Sequence, residues 1–158
     1  MRSRQPARQP ARLRRVLAIT AAWLVLTPAG AADTIWFTVI GDHLDPAAET
    51  VQVNPVPLSV TYSLRVMQVR ANRATARTSW DNVPFRSYEA TVEFDCTAGT
   101  ARFQSLRYFM QPSWAGPSHK SMQYGPDNPR WMRFRDMTPN PTERIINAAC
   151  SFHRVTAN

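Results

Sequence analysis

Within residues 85–96, the run from Ser87 to Cys96 alternates polar and apolar side chains without interruption. Tyr88, Ala90, Val92, Phe94 and Cys96 fall on one side, and Ser87, Glu89, Thr91, Glu93 and Asp95 on the other. A period of two places successive side chains on opposite faces of a strand, and no helical period accommodates it. Thr97-Ala98-Gly99-Thr100 follows as a turn with a glycine available for positive φ. Ala101–Met110 (ARFQSLRYFM) then returns as the partner strand. A two-stranded hairpin is marginal alone in water, so the rest of the chain must add strands to it or cover one of its faces.

The other segments supply both. Thr34–Ile40 (TIWFTVI) is rich in β-branched and aromatic residues and ends at Gly41, which predicts a first strand. After a loop holding Asp45-Pro46, a short strand is expected at Thr50–Val53. Pro55 and Pro57 cannot donate to a ladder, which marks that segment as an edge or a connection. Val60–Ala71 reads as one longer strand, with Tyr62, Leu64 and Val66 opposite Ser63, Arg65 and Met67, and residues 72–82 as a polar connection. Residues 111–139 are irregular and proline-rich, with one short strand expected near Ser121–Tyr124, ahead of Trp131–Phe134. The last element is a helix. Asn140 is placed to cap it, Pro141 suits its first position, and Glu143 completes a capping box. Ile146 and Cys150 share one face, as do Ile145, Ala149 and Phe152, and the tail beyond Phe152 is expected to fray. The expected fold class is α+β and mainly β: an antiparallel sheet of five to six strands with one C-terminal helix and one disulfide.

Residues 1–31 read as a cleaved signal peptide. Six arginines and no acid precede the apolar run Val16–Leu26 (VLAITAAWLVL), and Ala29-Gly30-Ala31 supplies a small-x-small cleavage pattern. Eleven apolar residues rise only about 16 Å as a helix, against roughly 30 Å of hydrocarbon, so cleavage before Ala32 is preferred to a membrane span. No transmembrane segment is expected after cleavage, and residues 32–158 form one domain. The sequence pI of 10.7 is mostly a property of the leader. Of 19 basic residues six leave with it, and 13 remain against 11 acidic ones, a net charge of +2. That balance gives no nucleic-acid footprint. Export also places Cys96 and Cys150 in an oxidising compartment, where an even pair is expected to bridge. The competing reading is a redox-active or metal-binding thiol pair, which a separation of 54 residues fits poorly.

Several strings are similar to a known family. RSYEATVEFDC (Arg86–Cys96) followed by ARF (Ala101–Phe103) resembles the central hairpin of the surface-adhesin protein E family. PNPTERIINAAC (Pro139–Cys150) resembles its closing helix with the second cysteine, and the Trp36 strand followed by Val51–Asn54 resembles its opening. The resemblance covers nearly all of the chain beyond the leader. It implies a small exported domain built on an antiparallel sheet with a C-terminal helix, and its namesake is a bacterial outer-surface adhesin that binds host matrix proteins. Two departures stand out. No cysteine follows the cleavage site to carry a lipid anchor, and Asn54 stands where the family often has Asp.

The function this implies is a non-enzymatic binding domain, with a periplasmic structural or envelope-assembly factor as the alternative. The expected location is the periplasm, the cell surface or the medium. Expected partners are host extracellular-matrix proteins or acidic envelope components, with no nucleic acid. The candidate binding patch is the arginine run Arg65, Arg70, Arg73, Arg77 and Arg86, opposed only by Asp81, because guanidinium forks match oxyanions. A second candidate is Arg130, Trp131 and Arg133, where cations alternate with apolar groups as at interface hot spots. The first patch also reads as the solvated face of strands joined by a polar loop, and the second as an edge strand with Trp131 or Phe134 in the core. His43 between Asp42 and Asp45 reads as a polar loop rather than a metal site, and Trp36, Trp80 and Trp114 as core or loop anchors. No cofactor and no catalytic residue is expected, since no nucleophile-elbow, metalloprotease or phosphate-loop motif is present.

Overall fold

A computed structural model describes residues 35–152, so the leader expected at 1–31 and the tail expected to fray after Phe152 lie outside the described residues. The strands are β1 (Phe37–Ile40), β2 (Thr50–Val53), β3 (Ser59–Thr61), β4 (Leu64–Thr78), β5 (Pro84–Asp95), β6 (Thr100–Phe109), β7 (Lys120–Gln123) and β8 (Arg130–Trp131). One helix, α1 (Thr142–Ser151), closes the chain. The sheet is antiparallel with order β1-β2-β4-β5-β6-β7, while β3 pairs with the start of β4 and β8 with the start of β6.

The predicted hairpin is the centre of this sheet, with β5 pairing β6 from Asp95↔Thr100 to Ser87↔Phe109. Its turn is fixed by Asp95, whose Oδ1 accepts the N–H groups of Thr97 (3.0 Å) and Ala98 (3.0 Å). Those bonds, that from Ala98 first, favour the ionised form and hold the Asp95 carboxyl below its usual range. Gly99 takes the expected positive φ of 62°.

Three expectations about the strands need correction. The segment read as one strand, Val60–Ala71, reverses at Tyr62 and Ser63 into the β3–β4 hairpin. Tyr62 adopts φ 52° there, a conformation usually left to Gly or Asn, so no composition signal marks the turn. The polar connection at 72–82 is strand as far as Thr78, after a bulge between Asn72 and Arg77. Its arginines find carboxylates, which lets a polar segment stay in the sheet. β2 is an interior strand and not an edge, paired to β1 and β4 and buried throughout. Pro55 and Pro57 stand in the gap between β2 and β3. There the chain loops out between the Asn54 N–H bond to Gln68 O and the Leu58 N–H bond to Val66 O.

The inner face of the sheet carries the core. Val51, Val53, Met67, Val69, Val92 and Phe94 are fully enclosed beneath Ile145, Ile146 and Ala149 of α1. The helix starts at Thr142, one residue later than expected, and the capping box does not form. Asn140 Oδ1 instead accepts the Thr142 N–H (2.9 Å) and hydroxyl (2.7 Å). The Cys96–Cys150 disulfide joins the end of β5 to the last turn of α1, with Cα atoms 5.6 Å apart. Beyond the helix, Met132, Phe134 and Met137 from the segment after β8 cover the β5–β6 part of the same face.

Candidate binding surfaces

The arginine run does not form one patch. Even-numbered residues of β4 before its bulge face away from the helix and odd-numbered ones face it. Arg65 donates from its guanidinium to the carbonyls of Ala149 (3.2 Å) and Phe152, closing the C-terminus of α1. Arg73 is only 3% exposed. Its Nε lies 2.6 Å from Glu49 and its terminal nitrogens 2.7 and 3.3 Å from the two oxygens of Asp136. Arg77 sits beside the same two carboxylates at 3.6 and 3.9 Å. Arg86 donates to the backbone carbonyls of Arg73 (3.0 Å) and Pro46 (3.2 Å). Arg65, Arg73 and Arg86 therefore tie the fold together. Arg70 stands apart on the opposite face.

Among the described residues, that opposite face has no α-helix across it. One row of side chains crosses it in register, Thr38–Gln52–Arg70–Glu89–Arg107–Ser121. Next to it run Gln68, Thr91, Ser105 and Gln123, followed by Glu93 and Arg102. The charges alternate in sign from strand to strand. Arg107 pairs with Glu89, and Arg102 holds Glu93 through two bonds of 2.7 and 3.1 Å. Bonding to Glu93 raises the Arg102 pKa.

Arg70 is the centre of this face. Its guanidinium lies 4.1 Å from the ring centre of Trp36 and 4.0 Å from that of Trp114. Trp36 comes from the segment before β1. Trp114 comes from the 3-10 turn Pro112–Trp114 after β6, which is held by Trp114 Nε1–H to Tyr88 O (2.9 Å) and by bonds of Ser87 Oγ to Gln111 O and Trp114 N–H. Arg70 Nε donates to Gln52 Oε1 at 2.7 Å, and Gln52 Nε2 donates in turn to Thr38 at 2.8 Å. The two indoles desolvate the guanidinium and lower its pKa to about 10, against the opposing pull of Glu89. It remains cationic at neutral pH. A shallow depression of about 620 Å³ opens beside it, bordered by Gln68, Glu89, Thr91, Ser105 and Arg107.

The segment Arg130–Arg135 also divides. Trp131 pairs with Arg102, reaches the open face and is 46% exposed. Arg130 lies on the other side, 3.3 Å from Asp81. Met132 and Phe134 enter the core, and Arg133 is exposed beyond them. In the His43 loop, Asp42 and Asp45 accept N–H groups two residues on, from Leu44 (2.9 Å) and Ala47 (2.8 Å). None of the three tryptophans read as anchors lies in the core: Trp36 and Trp114 flank Arg70, and Trp80 stacks near Phe103 at 5.6 Å. The half of the open face made by β5 and β6 was present in the alternation of Glu89 and Glu93 and the return of Arg102 and Arg107. The Trp36–Arg70–Trp114 stack joins three distant parts of the chain and left no local signal.

A profile of the surface-adhesin protein E family matches residues 36–151. The chain belongs to the surface-adhesin protein E family. The matched span takes in the whole sheet and the helix, including both arms of the Arg70 stack and both bridged cysteines. No curated protein matches the chain, and no solved structure does. Among the described residues, no helix is long and apolar enough to cross a membrane.

Proposed function

We propose that this adhesin E domain is an exported, non-enzymatic binding module that acts as a cell-surface adhesin, and that it engages its partner with the open sheet face around Arg70. The observation that carries this reading is the Trp36–Arg70–Trp114 stack. An arginine clamped between two indoles and fixed at Nε by Gln52 has lost its rotamer freedom before any partner arrives. Its terminal nitrogens keep the planar geometry that pairs with carboxylate or sulfate. Tryptophan and arginine together, set in a polar surround, also match the composition of interface hot spots. The partners that suit this face are acidic segments of host extracellular-matrix proteins.

Binding of the purified domain to immobilised matrix proteins tests the reading. Arg70→Ala is expected to weaken binding by about tenfold or more, and Arg70→Lys nearly as much, because an ammonium cannot replace the fork. Neither change removes a core contact, so the melting temperature stays near the wild-type value. Unchanged affinity in Arg70→Ala would take the stack out of the binding account.

A periplasmic envelope factor is the second reading. It is favoured by one observation: both cysteines of the chain are in the bridge, so neither carries a lipid. In that case the same face would meet acidic envelope components.

A further inference from the structure

The helix side of the sheet holds a second depression, away from Arg70 and independent of the reading above. It has a volume of about 580 Å³ and opens between the end of β4, the segment 133–136 and the strands β5 and β6. Its walls are Phe85, Tyr88, Phe103, Leu106, Tyr108 and Phe134, each at least nine-tenths buried. The depression opens to solvent and is not an internal void of the kind that close-packed side chains would fill. The volume instead falls in the range of small-molecule sites, which are mostly apolar with a few placed polar groups.

Two features say what such a molecule carries. The first is charge. Arg73, Arg77, Arg133 and Arg135 line the depression, and Asp136 is its one acidic lining residue. Glu49 and Asp136 are both taken by Arg73 and Arg77, whereas Arg133 and Arg135 are exposed and have no ion-pair partner among the described residues. The rim thus holds two cations outside any ion pair, with Glu143 as the nearest further carboxylate beside them. The second feature is the Tyr108 hydroxyl. The residue is 1% exposed, and its oxygen comes near Ser79 and Tyr124 without a bond of good geometry to either. A buried hydroxyl needs a partner, and here Ser79, which also lines the depression, and Tyr124 stand within its reach. Trp80, half exposed and stacked on Phe103 and Tyr124, completes an aromatic lip.

We propose that this depression binds a small amphipathic anion: an apolar body seated among the aromatic walls, with a carboxylate or sulfonate facing Arg133 and Arg135. A neutral or cationic molecule of the same shape gains the apolar contacts and loses the arginines. A large polyanion is too polar for the walls.

The folded, disulfide-intact domain is titrated with the fluorescent sulfonate 8-anilinonaphthalene-1-sulfonate, and the bound probe is displaced with dodecanoate or with dodecyltrimethylammonium. One saturable site is expected, emptied by dodecanoate and not by the cation at equal concentration. The double variant Arg133→Ala/Arg135→Ala is expected to bind the sulfonate about tenfold more weakly, as two partly solvated ion pairs would give. Ala76 is exposed at the mouth, so Ala76→Trp closes the entrance without disturbing the core and is expected to abolish binding. The proposal is overturned by the absence of saturable binding, by equal displacement with the cationic detergent, or by unchanged affinity in the arginine variant. The arginine variant stands as a test even if Ala76→Trp does not fold.

Discussion

Replacing Cys96 and Cys150 together by serine lowers the free energy of unfolding by about 4 kcal/mol, the largest effect expected of any simple change in this chain. The bridge closes a loop of 54 residues. Confining the unfolded chain by a loop of that length is worth roughly 4 kcal/mol in the chain-entropy account. A domain of this size has only about 5–15 kcal/mol in all. The effect is uneven across the fold. β5 and β6 keep their ladder, whereas α1 is left with the packing of Ile145, Ile146 and Ala149 and the hold of Arg65 on its last carbonyls. Urea unfolding of the oxidised protein and the double variant measures the difference, and a fall in melting temperature of roughly 15–20 °C accompanies it. A loss below about 1 kcal/mol would mean that helix and sheet hold together without the bridge.

The second large effect is expected at Arg73. Substitution by methionine keeps most of the side-chain volume and removes the charge, leaving Glu49 and Asp136 facing a buried apolar group. Breaking a fully buried ion pair by deleting one member costs about 3–5 kcal/mol. Here the carboxylates are 29% and 52% exposed, so they regain part of their hydration. The expected loss is therefore about 2–3 kcal/mol. The same measurement on Arg70→Met should give only about 1 kcal/mol, because methionine still packs between the two indoles and the main loss is the hydrogen bond to Gln52. Two arginines three positions apart then differ sharply. Arg73 is read out in stability and Arg70 in binding. Equal destabilisation by both changes would contradict that division.

The division follows from the period of a strand, and that part was legible before the fold was known. Positions 70 and 73 differ by an odd number, so a regular strand cannot present both on one face. Grouping the arginines by proximity in sequence ignored this. The hairpin, its turn, the helix and the bridge were equally legible, because each has a local pattern: alternation, a glycine, a proline-led start, paired cysteines. What escaped had none. Tyr62 turns the chain in a left-handed conformation with no glycine or asparagine to announce it. The polar stretch after Asn72 stays in strand because Glu49 and Asp136, distant in sequence, neutralise its arginines. β2 looked like an edge because of prolines that stand just beyond it. The Arg70 stack needed Trp36, Trp114 and the register of four strands at once, which only the assembled sheet supplies.

The adhesin reading places the open face outside the cell, and surface proteolysis tests that placement most directly. Intact cells producing the full chain are treated with a protease that cannot cross the outer membrane, and the chain is followed by immunoblot. The expected result is a processed, thiol-blocked protein that is degraded on intact cells or recovered from the medium. A chain that survives on intact cells and is cut only after the outer membrane is permeabilised would contradict it, and would leave the Arg70 face to a partner inside the envelope.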